Sequence, residues 1–506
     1  MSDDDLDWEQ PLQLSSIIAL ANLLSIGTKC TIPISSSISP GEVLGIARDT
    51  NNKSCRLQSL RLLANLSVFD NNDENLLYSK IGDEGLISLI NLFERADLYT
   101  SRNIIRCLGH MSKDKNVADL LLNDEVWDKF IVVSEINDIE IQRRLSRTIA
   151  NAAFNNSERL VEKTEVQTLL AKWIKSSDDY IRSNSIRARV SLATSNQKTP
   201  KYAEGIYLLH PTNASSDFDF DLIFIHGVNG HPFTTWANTP VAPDSTPLPE
   251  AAIDESKLVC WPKDWIPQDF PKARVITVGY DIFLSSWGGG NATPLHDQSQ
   301  EILENLKLAG VGSRPFMFVT HSFGGLVAKQ MLKLASQSPA HYSDISKNCR
   351  AVVFYATPHY GARLAEYAYT LEKVLRTTSA IYDLLPSSQH VDRLTRLFPK
   401  FAPNVATMCF GETEETCVLK NICLVIVDEA SANPKFSGAT HSFKLLKANH
   451  RGVCKPYDRN DEKYQLVRDF INSVIYGSSS SNSSSSSRLQ HHIDSHHHQH
   501  QRVVID

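Results

Sequence analysis

The stretch FVTHSFGGLVAK, residues 318–329, sets Ser322 between a histidine and two glycines, directly after a short apolar run. Phe316 to Thr320 reads as a strand and Leu326 onward as a helix, with Ser322 at the junction. A strand that turns into a helix within two residues crowds its own backbone, and Gly324 and Gly325 supply the space. The same turn lifts a serine hydroxyl above a sheet, where it can act as a nucleophile. Thr320 departs from that pattern: a β-branched residue suits the strand, but it fills space that glycine would leave empty. A serine that merely caps a helix would show the same string, so this segment leaves both readings open.

Upstream, FDFDLIFIHGVNG (residues 218–230) is an apolar strand running into His226-Gly227 with a further glycine after it. Before an elbow, such a loop forms part of the substrate site and donates one backbone N–H to an oxyanion, while the residue after the nucleophile donates the other. The expected donors are the amides of Val228 and Phe323. A triad in this chain order places the acid and then the histidine after the serine. His450, in KANHRG ahead of the terminal helix Asp461 to Tyr476, is favoured as the base over His359, in ATPHYG. The acid is expected just after the apolar run Ile422 to Val427, at Asp428 or Glu429, and adjacency leaves the two open. Trp261, Trp265 and Trp287, with Phe283, are candidates for an acyl pocket or lid.

Around this site, strands at Ile206–Leu209, Leu222–Ile225, Val275–Val278, Phe316–Thr320, Ala351–Tyr355 and Ile422–Val427 alternate with helices. Runs buried on both faces and separated by helices predict a doubly wound, mostly parallel sheet, the α/β-hydrolase fold, over residues 199–476. Residues 1–198 have another texture. LANL at 20, LANL at 63, LGHM at 108, IANA at 149 and LATS at 192 each close a helical apolar pattern. Steps of 43, 45, 41 and 43 residues match an armadillo or HEAT-like period. Arginine recurs two positions before the repeated Leu or Ile, at Arg61, Arg106 and Arg147. An all-α solenoid with a surface for a protein partner is expected there. Residues 477–506, rich in serine and histidine, lack the apolar content to fold alone.

A formal net charge of −6 over 506 residues, without a long basic run, argues against nucleic acid as partner. The acidic start MSDDDLDWEQ fits neither a secretory signal nor an Arg-rich presequence, and no apolar run reaches a spanning length, so an intracellular protein with at most peripheral membrane contact is expected. Nine scattered cysteines without a C-x-x-C pair predict reduced, packed thiols. Nothing in the expected chemistry calls for a cofactor or metal.

Taken together, DLIFIHGVNGHPFTTW, CWPKDWIPQDFPKARVITVGYD, VTHSFGGLVAKQML, VVFYATPHYGARLAEY and NHRGVCKP resemble, in order, the hydrolase domain of the serine active site-containing protein family, in which helical repeats also precede that domain. The resemblance implies Ser322 as nucleophile and His450 as base, with a small hydroxyl residue accepted at position 320. The family's Glu-Ser-Ala after the strand becomes Glu429-Ala430-Ser431-Ala432 here, so the register of the acid stays open by one. It further implies acyl chemistry on a phospholipid, phosphatidylglycerol in particular, at mitochondria or the endoplasmic reticulum; without the resemblance the expectation is cytosolic. A serine hydrolase or acyltransferase acting on lipid esters is the leading expectation. The alternative is an inactive solenoid scaffold or lipid-binding adaptor.

Overall fold

A computed structural model describes residues 9–25, 39–68, 70–71, 74–156, 160, 163–193, 200–212, 217–238, 258–280, 295–361, 388–419, 422–438 and 440–477. Trp287, Phe283 and the serine- and histidine-rich stretch from residue 478 onward lie outside them.

The first part is helical: α1 (Glu9–Ser25), α2 (Pro40–Asp49), α3 (Lys53–Leu66), α4 (Leu76–Asn91), α5 (Leu98–Met111), α6 (Lys115–Leu120), α7 (Asp124–Ser134), α8 (Ile139–Asn155), α9 (Thr164–Trp173) and α10 (Asp179–Leu192). The helix that carries the repeated motif opens on an acid or amide that accepts from its own first-turn amides: Asn52 before α3, Asp97 before α5, Asp138 before α8 and Asp178 before α10. These caps also set the stacking. Arg102 on α5 grips Asp138 of the next repeat at 2.5 Å, and Arg143 on α8 grips Asp178 at 2.6 Å. Between the caps, α3, α5, α8 and α10 pack in sequence on one continuous apolar core, as a solenoid requires.

The chain then builds a sheet from β1 (Ile206–His210), β2 (Phe220–Ile225), β3 (Ala273–Val278), β4 (Phe316–His321), β5 (Cys349–Tyr355), β6 (Ala406–Glu412) and β9 (His441–Leu446). Among the described residues its order is β9-β6-β5-β4-β2-β3-β1, parallel throughout except for β1, which runs antiparallel to β3. Helices α11 (Leu295–Leu308), α12 (Phe323–Gln337), α13 (Pro339–Asn348), α14 (Gln389–Phe401) and α16 (Glu462–Ile475) join the layers, with α15 (Glu429–Ala432) a single turn. The central strands are buried on both faces. Ile223 and Ile225 join one core with Phe316, Phe318 and α12, while Leu222 and Phe224 join the other with Met317, Val319 and α16.

Two expected features take a different form. Ile422–Leu424 is not a strand of this sheet: as β8 it pairs only with β7 (Thr416–Leu419) in a two-stranded hairpin. Cys417 and Cys423 face each other across that hairpin and are joined as a disulfide, where reduced thiols were expected. The six cysteines at 55, 107, 260, 349, 409 and 454 are buried free thiols. Among the described residues no helix is long and apolar enough to cross a membrane.

The helical stack and the sheet share a core, because Ile186 and Val190 of α10 pack in one cluster with Ile206 and Ile276. A buried polar seam reinforces this junction: Arg187 donates to the Tyr202 carbonyl, to Asn184 and to Asn151. On the same side of the sheet, fully buried Arg274 of β3 forks onto Asp221 of β2 at 2.8 and 2.6 Å and donates to the Tyr202 hydroxyl, and Arg314 adds a third contact to the same carboxylate. A buried charge needs this completeness of pairing.

Candidate active site

Ser322 stands at the turn between β4 and α12 with φ 54° and ψ −124°, a conformation an L-residue adopts only under constraint. The constraint comes from packing on three sides. A Cβ on Gly324 would lie 2.4 Å from the Ile225 carbonyl oxygen, and one on Gly325 would lie 2.2 Å from Thr357 Oγ1. On the facing loop, a Cβ on Gly227 would lie 2.7 Å from Ser322 Cβ. Glycine is therefore obligatory where α12 crosses β2 and where the 226–230 loop passes the serine. Thr320 creates no such conflict. Its side chain is fully buried and its hydroxyl donates to the Val353 carbonyl at 2.8 Å, so the β-branched residue is satisfied inside the sheet. The Ser322 side chain makes no capping hydrogen bond to α12, which removes the helix-cap reading.

The Ser322 hydroxyl instead meets an imidazole: His450 Nε2 lies 3.0 Å from Ser322 Oγ. The other ring nitrogen, Nδ1, lies 2.5 Å from Oε2 of Glu412. This carboxylate pins the tautomer, since Nδ1 carries the proton toward the acid and Nε2 is left to accept from the serine. Glu412 is buried at the end of β6, and its second oxygen accepts from the amides of Ile426 at 2.6 Å and Val427 at 3.1 Å. His450 is held from two directions by its backbone. Its amide donates to Thr416 Oγ1 at 3.0 Å, and its carbonyl accepts from His321 Nε2 at 2.8 Å. The residue before the serine thus fastens the loop that carries the imidazole. Burial and the nearby His450 push the His321 ring down to about 3, so it is neutral and able to donate in this way.

The carboxylate against His450 is Glu412, and neither Asp428 nor Glu429, expected there, takes that contact. Asp428 accepts from the Ser431 amide at 2.9 Å as the cap of α15, and Glu429 is exposed. Asp428 also borders a cavity of about 610 Å³ with Tyr360, Asp392, Arg396 and Lys435. The difference follows from the topology: the strand that ends on Glu412 is β6, ATMCFGE, which is not among the strands expected from the sequence, and the apolar run after it forms the hairpin. The short apolar run Met408 to Phe410, followed by Gly411 and the acid, was the signal available, and the strand is buried from Thr407 to Glu412.

His359, the other candidate base, is fully buried beside Phe354 and Phe436, and burial pushes its ring well below the ordinary histidine range. Trp261 and Trp265, candidates for a pocket wall, are buried. They pack edge-on against Tyr464 in the core beneath the sheet, and the Trp261 indole donates to the Cys454 carbonyl. His226 is likewise buried: Nδ1 donates to the Gly227 carbonyl, the ring stacks on Tyr280 at 4.5 Å, and the Tyr280 hydroxyl donates to the His226 carbonyl. Burial lowers this ring to about 4 and keeps it neutral, so its side chain shapes the glycine loop from inside. Val228 follows Gly227 beside the serine, and Phe323 is the first residue of α12, where helix geometry leaves amides without partners.

No family model matches the chain. It is similar to Protein SERAC1 from Bos taurus, 33% identical over 345 residues, covering 66% of this chain and 51% of that protein. The same protein from Mus musculus is 34% identical over 343 residues and that from Homo sapiens 32% over 346, with 66% of this chain and 51% of each relative covered. The chain thus spans about half the length of these curated relatives. Among solved structures it is similar to Bacillus licheniformis lipase BlEst2 in mature form, with a TM-score of 0.34 and 15% identity, covering 53% of this chain and 97% of that one. It is also similar to a computationally designed armadillo repeat protein for modular peptide recognition, with a TM-score of 0.34 and 16% identity, over 38% of this chain and 80% of that one.

Proposed function

We propose that this chain is a serine hydrolase or acyltransferase of the α/β-hydrolase fold, acting on lipid esters, with armadillo-like repeats ahead of the catalytic unit. One observation carries the reading: the run of contacts from Ser322 Oγ through His450 to buried Glu412, at 3.0 and 2.5 Å. In this scheme Ser322 Oγ attacks the acyl carbonyl while His450 Nε2 takes its proton. Glu412 holds the Nδ1 proton and stabilises the imidazolium without itself becoming protonated. The amides of Val228 and Phe323 receive the developing oxyanion. His450 then returns its proton to the departing alcohol, leaving an acyl-serine. Water or a second alcohol, deprotonated by His450, attacks that ester and releases Ser322. Glu412 takes the place that Asp428 and Glu429 held as candidates.

The resemblance to the serine active site-containing family favours a phospholipid ester, with phosphatidylglycerol remodelling at mitochondria or the endoplasmic reticulum as the specific form. The test is labelling of the full chain with a fluorophosphonate. Stoichiometric labelling that disappears in Ser322→Ala supports the enzyme; a folded wild-type protein that takes up no probe replaces it with the scaffold reading.

A further inference from the structure

The arginines that recur through the helical repeats take no part in the proposed chemistry. Arg61 on α3, Arg106 on α5 and Arg147 on α8 occupy one position of three helices that pack in succession, and all three are half-buried. They form a stripe close enough for mutual repulsion: burial, then the charges of Arg144 and Arg61, holds the Arg106 guanidinium below its ordinary range. The acids facing this stripe are few. Glu140 pairs with Arg144, and Glu204 pairs with Arg147 at 2.6 Å and with Lys113 at 3.9 Å. Among the described residues Arg61 makes no hydrogen bond or ion pair, and Arg106 contacts only the Asn65 amide oxygen, at 3.0 Å.

The occupied end of the stripe shows what it holds. Residues 202–204 are a non-helical segment laid across the stacked helices. Arg187 donates to the Tyr202 carbonyl at 3.1 Å, Asn151 to the Glu204 carboxylate at 3.0 Å, and Arg147 to the same carboxylate. One backbone carbonyl and one acidic side chain are thus read by two arginines and an asparagine. The other end repeats the parts. Asn65 holds the position in its repeat that Asn151 holds in its own; one proton of its amide goes to the Ala21 carbonyl, and Arg61 and Arg106 flank it.

We propose that the face formed by Arg61, Asn65 and Arg106 docks an extended acidic peptide segment of a partner protein, in the manner in which Arg147, Asn151 and Arg187 hold residues 202–204. Charge complementarity commits the occupant to carboxylates. The whole chain, at −6, opposes a long polyanion such as nucleic acid, whereas a short acidic segment meets only the stripe.

The test uses the full chain and a fluorescein-labelled ten-residue peptide alternating Glu and Ser, read by anisotropy at low salt and again at 0.3 M salt. Binding that weakens with salt and is absent for the Gln-for-Glu peptide is expected. Arg61→Ala and Arg106→Ala should each weaken it by about tenfold, the usual effect of one charge-assisted hydrogen bond. Arg48→Ala/Arg468→Ala, which removes one exposed and one partly buried charge away from the stripe, should change it less than about twofold. Because Arg61 makes no hydrogen bond or ion pair among the described residues, its variant keeps the experiment decisive even if Arg106→Ala unfolds. No peptide binding, an unchanged affinity in Arg61→Ala, an equal loss in the Arg48/Arg468 variant, or tighter binding of a ten-nucleotide single strand would each overturn the proposal.

Discussion

Glu412 Oε2 lies 2.5 Å from His450 Nδ1, so the imidazole beside Ser322 is oriented by the last residue of β6. Two backbone amides on its other oxygen keep that carboxylate from turning away. The first prediction concerns its removal. Glu412→Gln should lower turnover, or the rate of fluorophosphonate labelling, by roughly 10³- to 10⁴-fold, as loss of a triad acid does. Asp428→Asn keeps an amide oxygen able to cap α15 and should leave the rate within about twofold. Similar rates for wild type and Glu412→Gln would remove Glu412 from the mechanism.

Strain at the serine predicts a trade between activity and stability. At φ 54° Ser322 bears a conformational cost that alanine shares and glycine escapes. Ser322→Gly should be inactive yet more stable than Ser322→Ala by about 1 kcal/mol, measured as a shift in urea midpoint. Equal midpoints would show that the elbow is relaxed.

Lys329, fully buried on α12, donates to Thr395 Oγ1 at 2.7 Å, and burial drives its ammonium down to about 7. Its folded value is depressed below the unfolded one, so between about pH 7 and 10.5 the unfolded chain binds the extra proton and stability rises with pH. Wild type should gain on the order of a few kcal/mol relative to Lys329→Met as pH rises from 7 to 10. Parallel melting profiles across that range would mean that the lysine reaches water.

The hairpin disulfide supplies a fourth prediction. Cys417 and Cys423 are exposed, and the segment they close runs between two supports of the site: Thr416, which accepts from the His450 amide, and Ile426 with Val427, which donate to Glu412. Reduction by a dithiol, or Cys417→Ser/Cys423→Ser, should slow Ser322 labelling several-fold and lower stability by on the order of 2 kcal/mol. An unchanged labelling rate would show that the hairpin holds its shape without the bond.

Much of the molecule is legible in its amino acids because it depends on local spacing. The cap residues at 52, 97, 138 and 178 recur with the repeat, and apolar runs buried on both faces announce strands β2 to β5. Ser322 and His450 could be named because a strand-to-helix turn with glycines, and an ordered histidine before the last helix, are sequence-near features. Their meeting, 128 residues apart, is a property of the parallel sheet, which brings successive strand ends to one edge.

The carboxylate could not be read in the same way. Both ATMCFGE and ICLVIVDEA end an apolar run on acids, and which run joins the sheet depends on pairing with β5, a contact between distant segments. Likewise, Trp261 and Trp265 have the composition of a pocket wall, but their place beneath the sheet is set by what packs on them from α16. Local chemistry, then, determined the repeat, the strand-to-helix turn at Ser322 and the histidine ahead of the last helix; which carboxylate meets that histidine, and the burial of the aromatics, were decided by long-range strand pairing and core packing, to which no short stretch of sequence is sensitive.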